Sequence, residues 1–194
     1  MGYHRAGFDV VGVDIKPQPR YPFEFIQADA MTFPLDGFDV IHASPPCQRY
    51  SVVTPKGSRG NHHDLIALTR SKLEMFDRPW VIENVPGAKN ELREATLLCG
   101  SMFGLRCQRH RLFESSPWIF NLLPPCDHSV APLLVTTAGR NSRAIRKPGE
   151  FKSVKNAPAA YGIDWMTHAE LCQAIPPAYT EYIGKQLLRV MEAR

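Results

Sequence analysis

No apolar run among the 194 residues approaches the roughly 18 that a membrane-crossing helix needs, so no membrane partner is expected. The opening residues, MGYHRAGFDV, lack the apolar centre of a secretory leader. The five cysteines (47, 99, 107, 126 and 172) are odd in number and far apart, which argues against a disulfide framework and for a reducing, cytoplasmic setting. No CxxC pair exists among them. Cys99, Cys107, Cys126 and His128 are what a zinc site would draw on, but only Cys126 and His128 of PPCDH are close together, so no metal is expected. There is no internal repeat, which excludes a solenoid. Acidic residues are not in excess: the net charge of +4 and a pI near 8.9 permit a polyanionic partner.

What is present suits one domain with a small appendage. Hydrophobic residues make up 44% and aromatics 10%, enough for a real core. MGYHRAGF reads as the tail of a helix capped by Gly7. DVVGVDI (9–15), FEFIQADA (23–30), FDVIHASPP (38–46) and WVIENVP (80–86) read as strands, several ended by proline. Residues 62–76 carry a helical pattern, and 91–103 is expected to be helical up to Gly100. THAELCQAI and AYTEYIGKQLLRVMEA close the chain as helices. Strands alternating with helices predict a doubly wound, parallel α/β sheet, whose ligands sit at the carboxyl ends of the strands. Asp14, Asp29, Cys47 and Glu83 all fall at such ends. Three spans are expected: an α/β core over 1–115, a Pro-rich basic insertion over 116–160, and returning helices over 161–194.

ASPPCQRYS (43–51) sets a thiol on a stiff turn. Alone, a cysteine is ordinarily buried and inert, and a strand-end glutamate or a surface arginine pair is ordinarily solvated. Here one thiol is followed 36 residues later by the glutamate of ENV, and then by RHR at 109–111. PPCQxxS, ENV and RxR, in that order and spacing, resemble the cytosine-C5 DNA methyltransferase family, of the small phage or bacterial kind. The likeness runs from the strand at residue 9 to the C-terminal helices.

The resemblance implies a Rossmann-like S-adenosylmethionine-dependent methyltransferase sheet and a monomer acting on double-stranded DNA in a bacterial or phage-infected cell. It implies that Cys47 is the nucleophile, that Glu83 protonates the base at N3, and that Arg111, with Arg109 close by, binds O2. It implies that S-adenosylmethionine is held by Asp14 and Ile15, by Asp29 and Ala30, and by Pro46. Gln48, Arg49 and Ser51 of the loop after Cys47 are expected to meet DNA. So are Arg140, Arg143 and Arg146 of the insertion, the candidate target-recognition segment.

Departures from the family pattern are specific. The Gly-rich FxGxGG strand and loop that usually opens the fold is not in the sequence, which begins within the first helix. Residues 9–15 and 38–44 should then flank an unfilled position, or pair directly. Cys107 stands where a glutamine is usual, and YIGKQLL where a GNS-like stretch is usual. Other readings stay open: an amino-methyltransferase using the SPP turn on adenine or cytosine N4, a silent DNA-binding remnant, and an RNA substrate.

Overall fold

The computed structural model describes residues 1–129 and 157–193. Helix α1 (Gly2–Ala6) ends at Gly7, whose φ of 111° is the left-handed cap conformation that glycine adopts freely. Strands β1 (Val11–Asp14) and β2 (Glu24–Gln27) form a parallel two-stranded sheet. Strand β3 (Ile41–Ala43) is followed by a 3-10 helix (Lys56–Asn61), then by helix α2 (Ile66–Glu74) and strand β4 (Trp80–Asn84). Strand β5 (Thr96–Leu98), a 3-10 turn (Gly100–Phe103) and strand β6 (Arg111–Ser116) follow, and helices α3 (Ala157–Tyr161), α4 (His168–Gln173) and α5 (Pro177–Glu192) complete the described chain.

The molecule is a mixed α/β structure. The larger sheet runs β3-β4-β6-β5, with β3 and β4 parallel and β6 antiparallel to both of its neighbours. The expected all-parallel sheet is therefore corrected, and so is the expected helix over 91–103. Leu97 and Leu98 pair with Leu112 and Arg111 instead. The helix-forming residues of ELREATLL yield to that pairing, because strand formation depends on cross-strand packing more than on intrinsic preference.

Strand β4 is buried at all five positions, which accounts for its unbroken apolar run. Alternation splits it between two cores. Trp80 and Ile82 pack with Ile66 and Leu73 of α2, whereas Val81 packs with Phe113 of β6 and with Tyr179, Ile183 and Leu187 of α5. Those three α5 residues recur every four positions, one face of a helix. Tyr3 and Phe8 join that second cluster from the α1 side.

Strands β1 and β3 belong to separate sheets, and no described strand bridges them. Direct pairing of 9–15 with 38–44 is therefore not found. Side chains tie the small sheet down. Lys72 of α2 donates to the carbonyls of Ala30, Met31 and Phe33 at 2.8, 3.1 and 2.5 Å, and Arg20 forks onto Glu170 of α4 at 2.8–3.1 Å. Glu170 also completes a capping box with Thr167.

Candidate functional site

The turn after β3 holds Cys47. The amides of Tyr50 and Ser51 donate to the Cys47 carbonyl at 3.0 and 2.9 Å, closing a tight turn around the thiol. Two contacts from the end of β4 fix this turn. Asn84, almost fully buried, donates from Nδ2 to the Pro45 carbonyl at 3.0 Å and accepts the Val85 amide through Oδ1 at 2.9 Å. Gly87, in the 3-10 turn Pro86–Ala88, lies so close that a Cβ there would stand 2.2 Å from the Tyr50 carbonyl oxygen. Any side chain at 87 would displace the thiol loop. So the asparagine of ENV and the glycine that follows position Cys47, a role that motif reading gave to neither.

Glu83 and Arg111 form a buried ion pair, Nε to Oε1 at 2.8 Å, with side chains 8% and 14% exposed. The ladder explains the meeting. Glu83 is opposite Phe113, and residues two apart share one face of a strand, so 111 and then 109 follow on the Glu83 side. Arg109 is buried. It donates to the Tyr161 hydroxyl at 3.1 Å and to the Cys172 carbonyl at 2.9 Å, and its own carbonyl accepts Tyr179 Oη at 2.6 Å. Helices α3, α4 and α5 thus hold the arginine stretch from behind.

A hydrogen-bond chain reaches Glu83 from α1. Tyr3 Oη bonds His42 Nδ1 at 2.7 Å, and His42 Nε2 meets Ser44 Oγ at 3.2 Å. The Ser44 hydroxyl bonds the Glu83 carboxyl. Burial lowers the His42 ring to about 4, so it is neutral at physiological pH. The neutral ring fits one direction of donation, Tyr3 to His42 to Ser44 to Glu83. Tyr3 and His42 belong to no motif, and nothing in the sequence links them to the Ser44 of the SPP turn.

The charges act on one another. Burial pushes the Glu83 carboxyl up, against Arg111, Ser44 and Arg109, which pull it down. Burial also pushes the Cys47 thiol up; Arg111 and Arg109 favour the thiolate and Glu83 opposes it. One thiol, one carboxyl and two guanidinium groups therefore share a single electrostatic environment.

The residues expected to hold S-adenosylmethionine sit at the carboxyl ends of β1 and β2, and Pro46 follows β3. Asp14 closes β1, and its carboxylate accepts Lys16 N at 2.8 Å and Gln18 Nε2 at 3.3 Å. Ile15 is 64% exposed beside it. Asp29 accepts the Met31 amide at 2.9 Å, and Ala30 and Pro46 are exposed. Parallel pairing, Asp14 opposite Gln27, brings Asp14 and Asp29 to one edge. Gln48 and Arg49 are exposed on the thiol loop, Arg49 reaching the His62 carbonyl at 3.5 Å, and Ser51 is half-buried. Arg140, Arg143 and Arg146 lie outside the described residues. Open clefts beside Trp80, lined by Glu74 and Ser116, are at the other end of β4 and take no part in this site.

Two further features bear on what the site can be. No helix among the described residues is long and apolar enough to cross a membrane. Cys99, His110, Cys126 and His128 gather into one cluster, with His110 where the set weighed from the sequence had Cys107. Nothing among protein-family models or curated proteins matches the chain.

Proposed function

We propose that the chain is a DNA (cytosine-5-)-methyltransferase that works through a covalent Cys47 adduct. The supporting observation is the meeting of Cys47, Glu83, Arg109 and Arg111 at the carboxyl ends of β3 and β4, with Glu83 and Arg111 already paired at 2.8 Å. Cytosine C5 is a weak nucleophile. A Cys47 thiolate adding at C6 pushes electrons toward N3 and makes C5 an enamine carbon. Glu83, whose proton affinity is raised by burial, gives N3 its proton. Arg111 leaves Glu83 for the O2 that gains charge, and Arg109 supports it. S-adenosylmethionine, when bound, supplies the electrophilic methyl group. N3 then returns its proton to Glu83, and loss of the C5 proton to solvent lets the C6–S bond break, returning the electron pair to sulfur.

The residues at the donor end fit that group. Asp14 offers a carboxylate to a ribose diol, Ile15 an exposed apolar surface to the adenine, and Asp29 with Ala30 a polar edge. The base cannot be reached inside a duplex, so it must be flipped onto the thiol loop.

A duplex carrying 5-fluorocytosine tests the reading. Fluorine at C5 leaves no proton to lose, so a denaturation-resistant protein–DNA complex should accumulate when S-adenosylmethionine is present. Methyl transfer to normal DNA without such trapping would overturn the C5 mechanism and favour the amino-methyltransferase; methyl transfer to RNA alone would move the substrate.

Glu83→Gln should separate two properties. Methyl transfer should fall about 10²–10³-fold with the loss of the acid. Alkylation of Cys47, read by peptide mass spectrometry at fixed pH, should become faster, because Glu83 is one of the groups holding the thiol up. Slower alkylation would show that this carboxylate does not act on the thiol.

A further inference from the structure

Cys99 is the first residue after β5, and His110 is the last before β6. Leu98 pairs with Arg111 in the antiparallel ladder, so Cys99 and His110 are the next facing pair. Alternation sends His110 to the face opposite the two arginines that flank it. Cys126 and His128 come from the Pro-rich stretch after β6, two residues apart, so an extended chain can turn both the same way.

We propose that Cys99, His110, Cys126 and His128 form a closed, structural zinc site. Their ligand atoms all lie within 4.8 Å of one another. Two of the four sulfur–nitrogen edges are 3.4 Å for Cys99 Sγ to His128 Nε2 and 3.6 Å for Cys126 Sγ to His110 Nε2. A tetrahedron with Zn–S near 2.3 Å and Zn–N near 2.05 Å has sulfur–nitrogen edges of about 3.5 Å. Both edges match without rearrangement. Two thiolates balance the dication, so the centre is neutral, which suits the full burial of Cys99. A tetrahedral S₂N₂ set selects zinc, and four protein ligands leave no open position for catalysis. Ser101 Oγ, 3.5 Å from Cys99 Sγ, supplies the outer hydrogen bond usual around a metal thiolate.

The nearby Asp127 is not a ligand, because its carboxylate accepts the amide and hydroxyl of Ser129 at 2.8 and 2.9 Å. The site's work is mechanical. It ties the stretch after β6 to the β5–β6 end of the sheet and fixes the backbone between Arg109 and Arg111. This role does not depend on the methyltransferase reading.

Chain purified from zinc-supplemented cells should carry one zinc per molecule by elemental mass spectrometry. Reconstitution with Co²⁺ should give the visible absorption of a tetrahedral thiolate complex. Removing the metal with a chelator should lower the melting temperature by roughly 5 °C or more. Cys126→Ser and His128→Ala, both outside regular elements, should each lose the cobalt signature, whereas Cys47→Ser and Cys172→Ser should keep it. Three results would overturn the site: substoichiometric metal after reconstitution, a cobalt spectrum that survives Cys126→Ser with His128→Ala, or a Cys99–Cys126 disulfide in chain isolated under reducing conditions.

Discussion

Cys47→Ser should lower methyl transfer by about 10³-fold or more, roughly 4 kcal/mol of barrier, with DNA affinity little changed. The substitution exchanges one atom on a loop held by Asn84 and Gly87, neither of which contacts the side chain through its bonds to the loop backbone. What is lost is chemical. A serine hydroxyl is far harder to ionise than a thiol, and its oxygen is a poorer group to expel when the C6 bond must break. The surroundings do not compensate, because burial and Glu83 already push position 47 toward the protonated form. The measurement is transfer of labelled methyl groups to duplex DNA, with affinity read separately by a salt-controlled binding assay. A serine variant within tenfold of the parent would exclude Cys47 as the nucleophile. A variant that also lost DNA binding would show that the thiol loop had been disturbed rather than its chemistry.

The parts of this site that were legible in the sequence share one property. Pro45, Pro46 and Pro86 end apolar runs, so the strand-end positions of Cys47 and Glu83 follow from local chemistry alone. The RxR motif singled out Arg109 and Arg111, whereas their shared face follows from strand β6, which the sequence did not announce. What could not be read depends on register. Cys99 and His110 have ten residues between them, which is no recognisable ligand spacing, and meet only because Leu98 pairs with Arg111. Strand β5 was hidden for the same reason, since its residues favour a helix until β6 is beside them. Tyr3, His42 and Ser44 come from three separate places on α1, β3 and the thiol loop. No single-sequence pattern marks a chain of hydrogen bonds across elements.

Glu114→Ala should be among the most damaging changes to stability, costing about 3–5 kcal/mol. Glu114 lies on β6 three residues beyond Arg111 and is 3% exposed. Its Oε1 accepts Arg70 Nε at 2.5 Å, and its Oε2 accepts Arg70 Nη2 at 2.7 Å and the Arg93 amide at 2.9 Å. Truncation takes the bidentate carboxylate from the Arg70 guanidinium, 6% exposed, and leaves it the Glu91 carbonyl. An uncompensated buried cation is the costly outcome, and against a typical domain stability of about 5–15 kcal/mol it consumes much of the margin. The exposed pair Arg93–Glu74, with side chains 66% and 48% accessible, is the internal control: Glu74→Ala should cost less than about 1 kcal/mol. Urea midpoints at matched slope read both. The double change Arg70→Met with Glu114→Leu should recover most of the loss, since it removes the charge together with its partner. If Glu114→Ala were as mild as Glu74→Ala, solvent would have to reach Arg70, and the α2–β6 contact would be looser than the packing of Ile66, Leu73 and Leu112 implies. The consequence for function is positional. Arg70 anchors β6 from the α2 face as Tyr179 and Tyr161 anchor the arginine stretch from the other, so loosening one side should move Arg111 off Glu83 before the fold is lost.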